Sequence, residues 1–353
     1  MGISLKALER LPIRANAAAA VVMLVALMLS APRAGAQTPA QLDPHGVSVA
    51  AFGGWSAWSR ADPATGGYSL VTRSPQGVIS LPQVPESASP FDVELGPTRG
   101  SEVAAVYSRC TRAGALRSCH IQLLALTAAD AAERSLIPPG GGSLHEPALW
   151  DGQLVFLRRT PSGGAHRPDI MLAWRIGSRR LQALALPSSR GNRNAGWPAG
   201  LTGRITGLTF NGKQVAYVTS NAVGVLGESS LWFEPLSGRP ELIDQQTGGA
   251  GNVCPPEFLS PVLSGQWLYS YLHACDPSAN PRLDRLTRYR HAEVQRATFT
   301  LLHAGDEAIG SAVPDGAAVE WDANGIERVA QVSWRGIAAP APQSFCGRSD
   351  PFC

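Results

Sequence analysis

An aromatic residue returns six times down this chain in the same local setting: Trp58, Tyr107, Phe156, Tyr217, Tyr269 and Trp321, at intervals of 49, 49, 61, 52 and 52 residues. Each lies late in a short apolar stretch, a few residues after a glycine turn at Gly54, Gly100, Gly152, Gly212, Gly265 or Gly316. Self-similarity at this period, in short apolar runs separated by turn residues, predicts one small antiparallel sheet per unit. A single such sheet cannot bury both faces. Repetition therefore predicts blades packed radially about an axis: an all-β, six-bladed β-propeller of four-stranded antiparallel blades.

The units fall near residues 46–82, 91–137, 145–186, 204–244, 256–299 and 307–337. Ala57-Trp58-Ser59-Arg60 and Val106-Tyr107-Ser108-Arg109 show the self-similarity directly. The long interval before Tyr217 is accounted for by residues 187–203, a Pro/Ser/Arg/Asn/Gly stretch that reads as a surface loop. The sixth unit lacks an outer strand, which residues from Gln37 onward or the segment near Trp334 are expected to supply. The recurring aromatics are expected in the core, because inter-blade packing needs a large apolar residue at an equivalent place in every sheet. Trp197 differs in lying in the long loop, and is a candidate for exposed binding.

Residues 1–36 read as a secretory signal: Lys6, Arg10 and Arg14, an apolar run over residues 17–29, then Ala34-Gly35-Ala36 before Gln37. The body is then residues 37–337, followed by a Pro-rich tail over 338–353, with no further segment able to span a membrane. Removing Lys6, Arg10, Arg14, Arg33 and Glu9 from 30 basic and 27 acidic residues leaves 26 of each. A neutral body gives no support to a nucleic-acid or anionic-membrane partner. All six cysteines follow the signal, and in an exported chain an even count reads as disulfides. Six cysteines allow 15 connectivities; the nearest-neighbour scheme expected here pairs Cys110 with Cys119 about Gly114, Cys254 with Cys275 about the Ser264-Gly265 turn, and Cys346 with Cys353 in the tail. No C-x-x-C pair exists, so the spacing does not suggest a zinc site.

No G-x-S-x-G, H-E-x-x-H, phosphate loop or D-x-D-x-D-G calcium loop is present. No catalytic residues are assigned, and no cofactor is required. In a propeller the first strand of each blade lines the channel, so residues opening those strands gather at one mouth. Here they are Asp92, Glu94, His145, Glu146, Glu257, Asp306 and Glu307, predicting an acidic rim able to take Ca²⁺ or a cationic peptide.

Gly53-Gly54-Trp55-Ser56-Ala57-Trp58-Ser59-Arg60, Val106-Tyr107-Ser108-Arg109-Cys110 and the turn Asn211-Gly212-Lys213-Gln214-Val215-Ala216-Tyr217 resemble segments of the secreted TolB-like six-bladed propellers, in particular actinobacterial exported proteins of unassigned function. The resemblance covers most of the mature chain and implies an interaction platform. The expectation is a monomeric, non-catalytic, extracytoplasmic scaffold that presents its loops and channel mouth to a protein or an envelope polymer. The alternatives are a lyase or hydrolase using the channel-mouth carboxylates, with or without Ca²⁺, and a carbohydrate-binding module using Trp197.

Overall fold

In the computed structural model the residues described are 40–43, 45–100, 102–113, 116–127, 132–159, 169–187, 204–223, 226–248, 257–264, 267–273, 285–290, 293–298, 308–313, 316–323 and 326–333. They belong to one compact unit, Gln37–Cys353, and contain only strands and turns. Strand β1 (Ala40–Asp43) precedes β2 (Gly46–Phe52), β3 (Trp55–Ala61), β4 (Tyr68–Arg73) and β5 (Ile79–Ser80). Next come β6 (Glu94–Pro97), β7 (Val103–Ala113), β8 (Leu116–Ala125) and β9 (Arg134–Leu136), then β10 (Ser143–Trp150), β11 (Gln153–Arg159), β12 (Ile170–Arg175) and β13 (Leu181–Ala183). Strands β14 (Arg204–Phe210), β15 (Gln214–Val223), β16 (Leu226–Pro235) and β17 (Glu241–Gly248) follow, and then β18 (Glu257–Ser264), β19 (Trp267–His273), β20 (Arg285–Arg290) and β21 (Glu293–Thr298). The last are β22 (Ala308–Val313), β23 (Gly316–Ala323) and β24 (Ile326–Ser333). Every pairing is antiparallel, and each sheet has four strands.

Alternation of side chains across a strand explains why the second strands read as unbroken apolar runs. Leu154, Val155, Phe156 and Leu157 of β11 are all fully buried. Leu154 and Phe156 pack back on Val106 and Ile121 of the sheet before, while Val155 and Leu157 pack forward on Leu208, Val215 and Tyr217 of the sheet after. The same division places Ala57 and Leu70 against Phe91 and Tyr107, and Ala216 and Val218 against Phe258 and Leu268. First strands pack on one another in turn, β2 on β6, β6 on β10, β10 on β14 and β14 on β18. Sheets stacked face to face, with their first strands together, define a β-propeller.

The expectation of a six-bladed ring is corrected. Among the described residues four blades, not six, are defined in both backbone and side-chain packing: β2–β5, β6–β9, β10–β13 and β14–β17. Of the two remaining sheets, β18–β21 is defined by its ladder and by a few side chains packed on the fourth blade. The other is a composite in the order β1-β24-β23-β22, in which β1 comes from the opposite end of the described chain. The final three strands have no consecutive outer strand and take β1, as expected of residues from Gln37 onward.

The glycine turns hold. Gly54, Gly100, Gly152 and Gly212 sit at φ of +82°, +98°, +72° and +89°, where side chains other than glycine are strained. Trp58, Tyr107, Phe156 and Tyr217 are wholly buried, as expected for core aromatics. Tyr269 and Trp321 fall in β19 and β23, and their side chains are outside those described.

Burying a Trp or Tyr also buries its polar atom, which then needs a partner. Trp58 Nε1 donates to Asp43 Oδ2 at 2.7 Å, and Arg60 Nε donates to the same oxygen at 2.7 Å. Two residues apart on one strand, aromatic and arginine grip one carboxylate. Tyr107 and Arg109 repeat the grip on Glu133, at 3.0 Å for the hydroxyl and 2.9 and 2.7 Å for the guanidinium. Phe156 carries no donor, and Arg158 instead donates to the Pro139 carbonyl at 2.6 Å. In the fourth blade Tyr217 adjoins Glu234, but the arginine position holds Thr219, which accepts from Trp232 Nε1 at 2.9 Å. Burial accordingly pushes the Glu234 carboxyl up to about 7, opposed by the Ala185 N–H and the Tyr217 hydroxyl. Asp43 belongs to β1, so its grip by the first blade ties the composite sheet to that blade.

Candidate functional site

Of the residues expected at the channel mouth, the structure brings Asp92 and Glu146 together. Asp92 lies just before β6. Its Oδ1 accepts the Ser108 N–H in a short contact, and its Oδ2 accepts the Glu146 N–H at 2.9 Å. One carboxylate thus joins its own blade to the first strand of the next. The Glu146 N–H is available because β10 bulges between His145 and Ala148, with Glu146 at φ +48°. That conformation costs a non-glycine residue about 1–3 kcal/mol.

Burial pushes the Asp92 carboxyl above its usual range, against the two backbone N–H bonds that favour its charged form. The Glu146 carboxyl is pushed up to about 8, first by burial and then by the Asp92 charge, while Arg159 and Arg204 pull it down and Asp169 adds to the rise. Arg159 itself is paired to Asp169 at 3.1 Å. Among the described residues, Asp92, Glu146, Arg159, Asp169 and Arg204 form a mixed-charge group drawn from three blades.

Glu94 lies one layer deeper. Its Oε1 accepts from Thr209 Oγ1 at 2.9 Å, and Thr209 Oγ1 in turn accepts the Leu263 N–H at 3.5 Å. Glu94, Thr209 and Leu263 occupy corresponding positions on the first strands β6, β14 and β18, so this chain of bonds links the second blade to the fourth and to the sheet beyond it. Burial pushes the Glu94 carboxyl up to about 8, with the Thr209 bond working the other way. At the opposite end of the first strands, Phe52 meets Trp150 edge to face, with ring centroids 5.4 Å apart. The inner strands are thus bridged at three levels, and the Asp92–Glu146 end carries the charge.

The raised Glu94 carboxyl fixes the sign of a pH effect. Unfolded, it releases its proton near 4.5; folded, it holds the proton to about 8. Its stabilising contribution is complete below the lower value and is lost as pH rises through the upper one. Wild type is expected to have a higher urea midpoint at pH 5 than at pH 8. Glu94→Gln, which keeps an acceptor for Thr209, is expected to lose part of that difference. An unchanged pH slope in the variant contradicts the assignment.

His145 turns away from the mouth. Its Nε2 shares a hydrogen bond with Ser143 Oγ at 2.8 Å, and Ser143 Oγ accepts the Cys119 N–H at 3.0 Å. This places the ring beside the Cys110–Cys119 disulfide, which links directly opposed residues of β7 and β8. Among the described residues, Cys110, Cys119 and His145 are the group whose ligand atoms all lie within 4.8 Å of one another. Glu257 opens β18 as expected, with its side chain outside those described. Trp197, Asp306, Glu307, Cys254, Cys275, Cys346 and Cys353 lie outside the described residues. Arg159, Asp169, Arg204 and Thr209 were not singled out by sequence, since each lies at a strand position or loop end with no motif.

No family model matches the chain, and no curated protein does. Solved structures similar to it include the β-propeller domain of the Trilobed protease from Pyrococcus furiosus, at 9% identity and a TM-score of 0.40, over 74% of this chain and 82% of that one. A prolyl endopeptidase is similar at 10% identity and a TM-score of 0.43, over 94% of this chain and 47% of its own, so the chain spans about half of that enzyme. An ulvan lyase of a polysaccharide lyase family is similar at 9% identity and a TM-score of 0.39, over 86% of this chain and 95% of that one. The propeller assignment rests on the strand order and packing given above. Among the described residues, no helix is long and apolar enough to cross a membrane.

Proposed function

We propose that this protein is a non-catalytic, extracytoplasmic propeller, of the TolB-like kind, that presents its loops and charged channel mouth to another protein or an envelope polymer. One observation carries the reading: Asp92 spends both carboxylate oxygens on backbone N–H groups of two adjoining blades. A carboxylate so engaged holds strands of two blades in register. The Cys110–Cys119 disulfide supports an oxidising compartment, in line with export by the segment before Gln37.

An acid/base enzyme, lyase or hydrolase, is the second reading. It is favoured by the raised Glu146 carboxyl beside Arg159 and Arg204, since a proton held to about 8 suits a general acid near neutral pH. The two separate in one experiment. The purified protein is incubated with anionic polysaccharides and with insoluble cell-wall polymer, reading unsaturated products, new reducing ends and co-sedimentation. The platform reading expects saturable co-sedimentation without turnover. Turnover that disappears in Glu146→Gln replaces it with the enzyme.

A further inference from the structure

We propose that Cys110, Cys119 and His145 form a site for a thiophilic divalent cation, with Zn²⁺ the ion it fits, which opens when the Cys110–Cys119 disulfide is reduced. The hairpin register sets the two sulfurs opposite each other, on the same side of the sheet. The next blade supplies the imidazole from β10, so that all three ligand atoms lie within 4.8 Å. Tetrahedral zinc, with bonds of about 2.3 Å to sulfur and 2.0–2.1 Å to nitrogen, needs ligand atoms roughly 3.5–3.8 Å apart. Once the S–S bond is broken, side-chain rotation lets the two directly opposed sulfurs reach that spacing.

The charge also balances. Two thiolates neutralise a divalent ion, which suits a site whose Cys119 side is fully buried. Ser143 orients the ring through its 2.8 Å contact and is tied to the Cys119 backbone, the role of an outer-shell partner in zinc sites. Cys110 is half-buried, leaving the fourth position toward solvent for water or an incoming ligand.

Opening requires a dithiol donor. One donor sulfur attacks Cys110 Sγ and the Cys119 sulfur leaves and takes a proton; the second donor sulfur then displaces Cys110, which also gains a proton. Two electrons and two protons pass to the protein, and the donor ends as a disulfide. The two thiols release their protons to solvent as the ion binds. Disulfide and metal are thus alternative occupants of one site. Sequence spacing conceals it, because the third ligand comes from another blade.

The test uses the full folded protein, reduced with a water-soluble phosphine that becomes its oxide while water supplies the two protons. Zn²⁺ is expected to protect Cys110, the half-buried thiol, from alkylation, read peptide by peptide by mass spectrometry. Co²⁺ is expected to give a thiolate-to-cobalt charge-transfer band, absent from the oxidised protein and lost in the Cys110→Ser/Cys119→Ser variant. His145→Ala is expected to weaken Zn²⁺ binding at least about tenfold. Equal alkylation of Cys110 with and without Zn²⁺, measured in the unsubstituted chain, overturns the proposal whether or not the variants fold. So does an affinity indifferent to His145→Ala in a variant that keeps the wild-type circular dichroism.

Discussion

Replacing Asp43 by Ala is expected to destabilise the propeller by about 3–5 kcal/mol, the cost of removing one partner from a buried charged pair. The Asp43 side chain is 1% exposed and accepts from Trp58 Nε1, Arg60 Nε and the His45 N–H, so its loss orphans an indole N–H at the centre of the first blade. Arg60 is 35% exposed and recovers water, which moves the expected figure toward the lower end. The larger consequence is topological. Asp43 ends β1, and β1 pairs through Ala40, Gln41 and Asp43 with Gln331, Ala330 and Val329 of β24. Loosening the grip loosens the strand by which the start of the sheet system joins its end. Hydrogen exchange in β24 is therefore expected to quicken along with the fall in denaturant midpoint. Asp43→Asn, which keeps one acceptor, is expected to fall between wild type and Ala. An Ala variant within 1 kcal/mol of wild type contradicts the grip.

Gly96→Ala is expected to cost about 3 kcal/mol or more, at the upper end of overpacking effects. Gly96 faces β10, and a methyl group there would lie inside contact distance of the Leu149 carbonyl oxygen and 2.8 Å from its carbonyl carbon. Both are backbone atoms. No side-chain rotation relieves the clash, so the first strands of the second and third blades have to move apart. That separation strains the Asp92 bond to the Glu146 N–H at the mouth. A thermal melt of Gly96→Ala measures the effect, and a Tm equal to wild type refutes the close approach.

Much of the fold was legible because it repeats. The aromatic period and the glycines with φ > 0 at Gly54, Gly100, Gly152 and Gly212 follow from local chemistry that repeats, and the Cys110–Cys119 pairing follows from cysteine spacing within one unit. The partners of the buried aromatics were not legible. Asp43 comes from β1, Glu133 from the approach to β9 and Glu234 from β16, so the carboxylates share no repeat position even though the aromatics do. The mouth was half legible: strand openings pointed to Asp92 and Glu146. The bulge that turns the Glu146 N–H onto Asp92 and sends His145 to the disulfide leaves no mark in hydrophobic alternation. The completion of the last sheet by β1 was legible in the outer strand missing from the sixth unit, which residues from Gln37 onward were expected to supply.

Asp92 at the mouth holds its own blade to the next through two backbone N–H groups. The unfolding free energy of Asp92→Asn, from equilibrium urea denaturation, tests this link most directly. An asparagine can accept one of the Ser108 and Glu146 N–H groups but sets its own NH₂ against the other, so a framework carboxylate predicts a loss of about 1–3 kcal/mol. Functional carboxylates more often relax a strained site when removed. An Asp92→Asn protein as stable as wild type, or more stable, would contradict the account and return the mouth to catalysis.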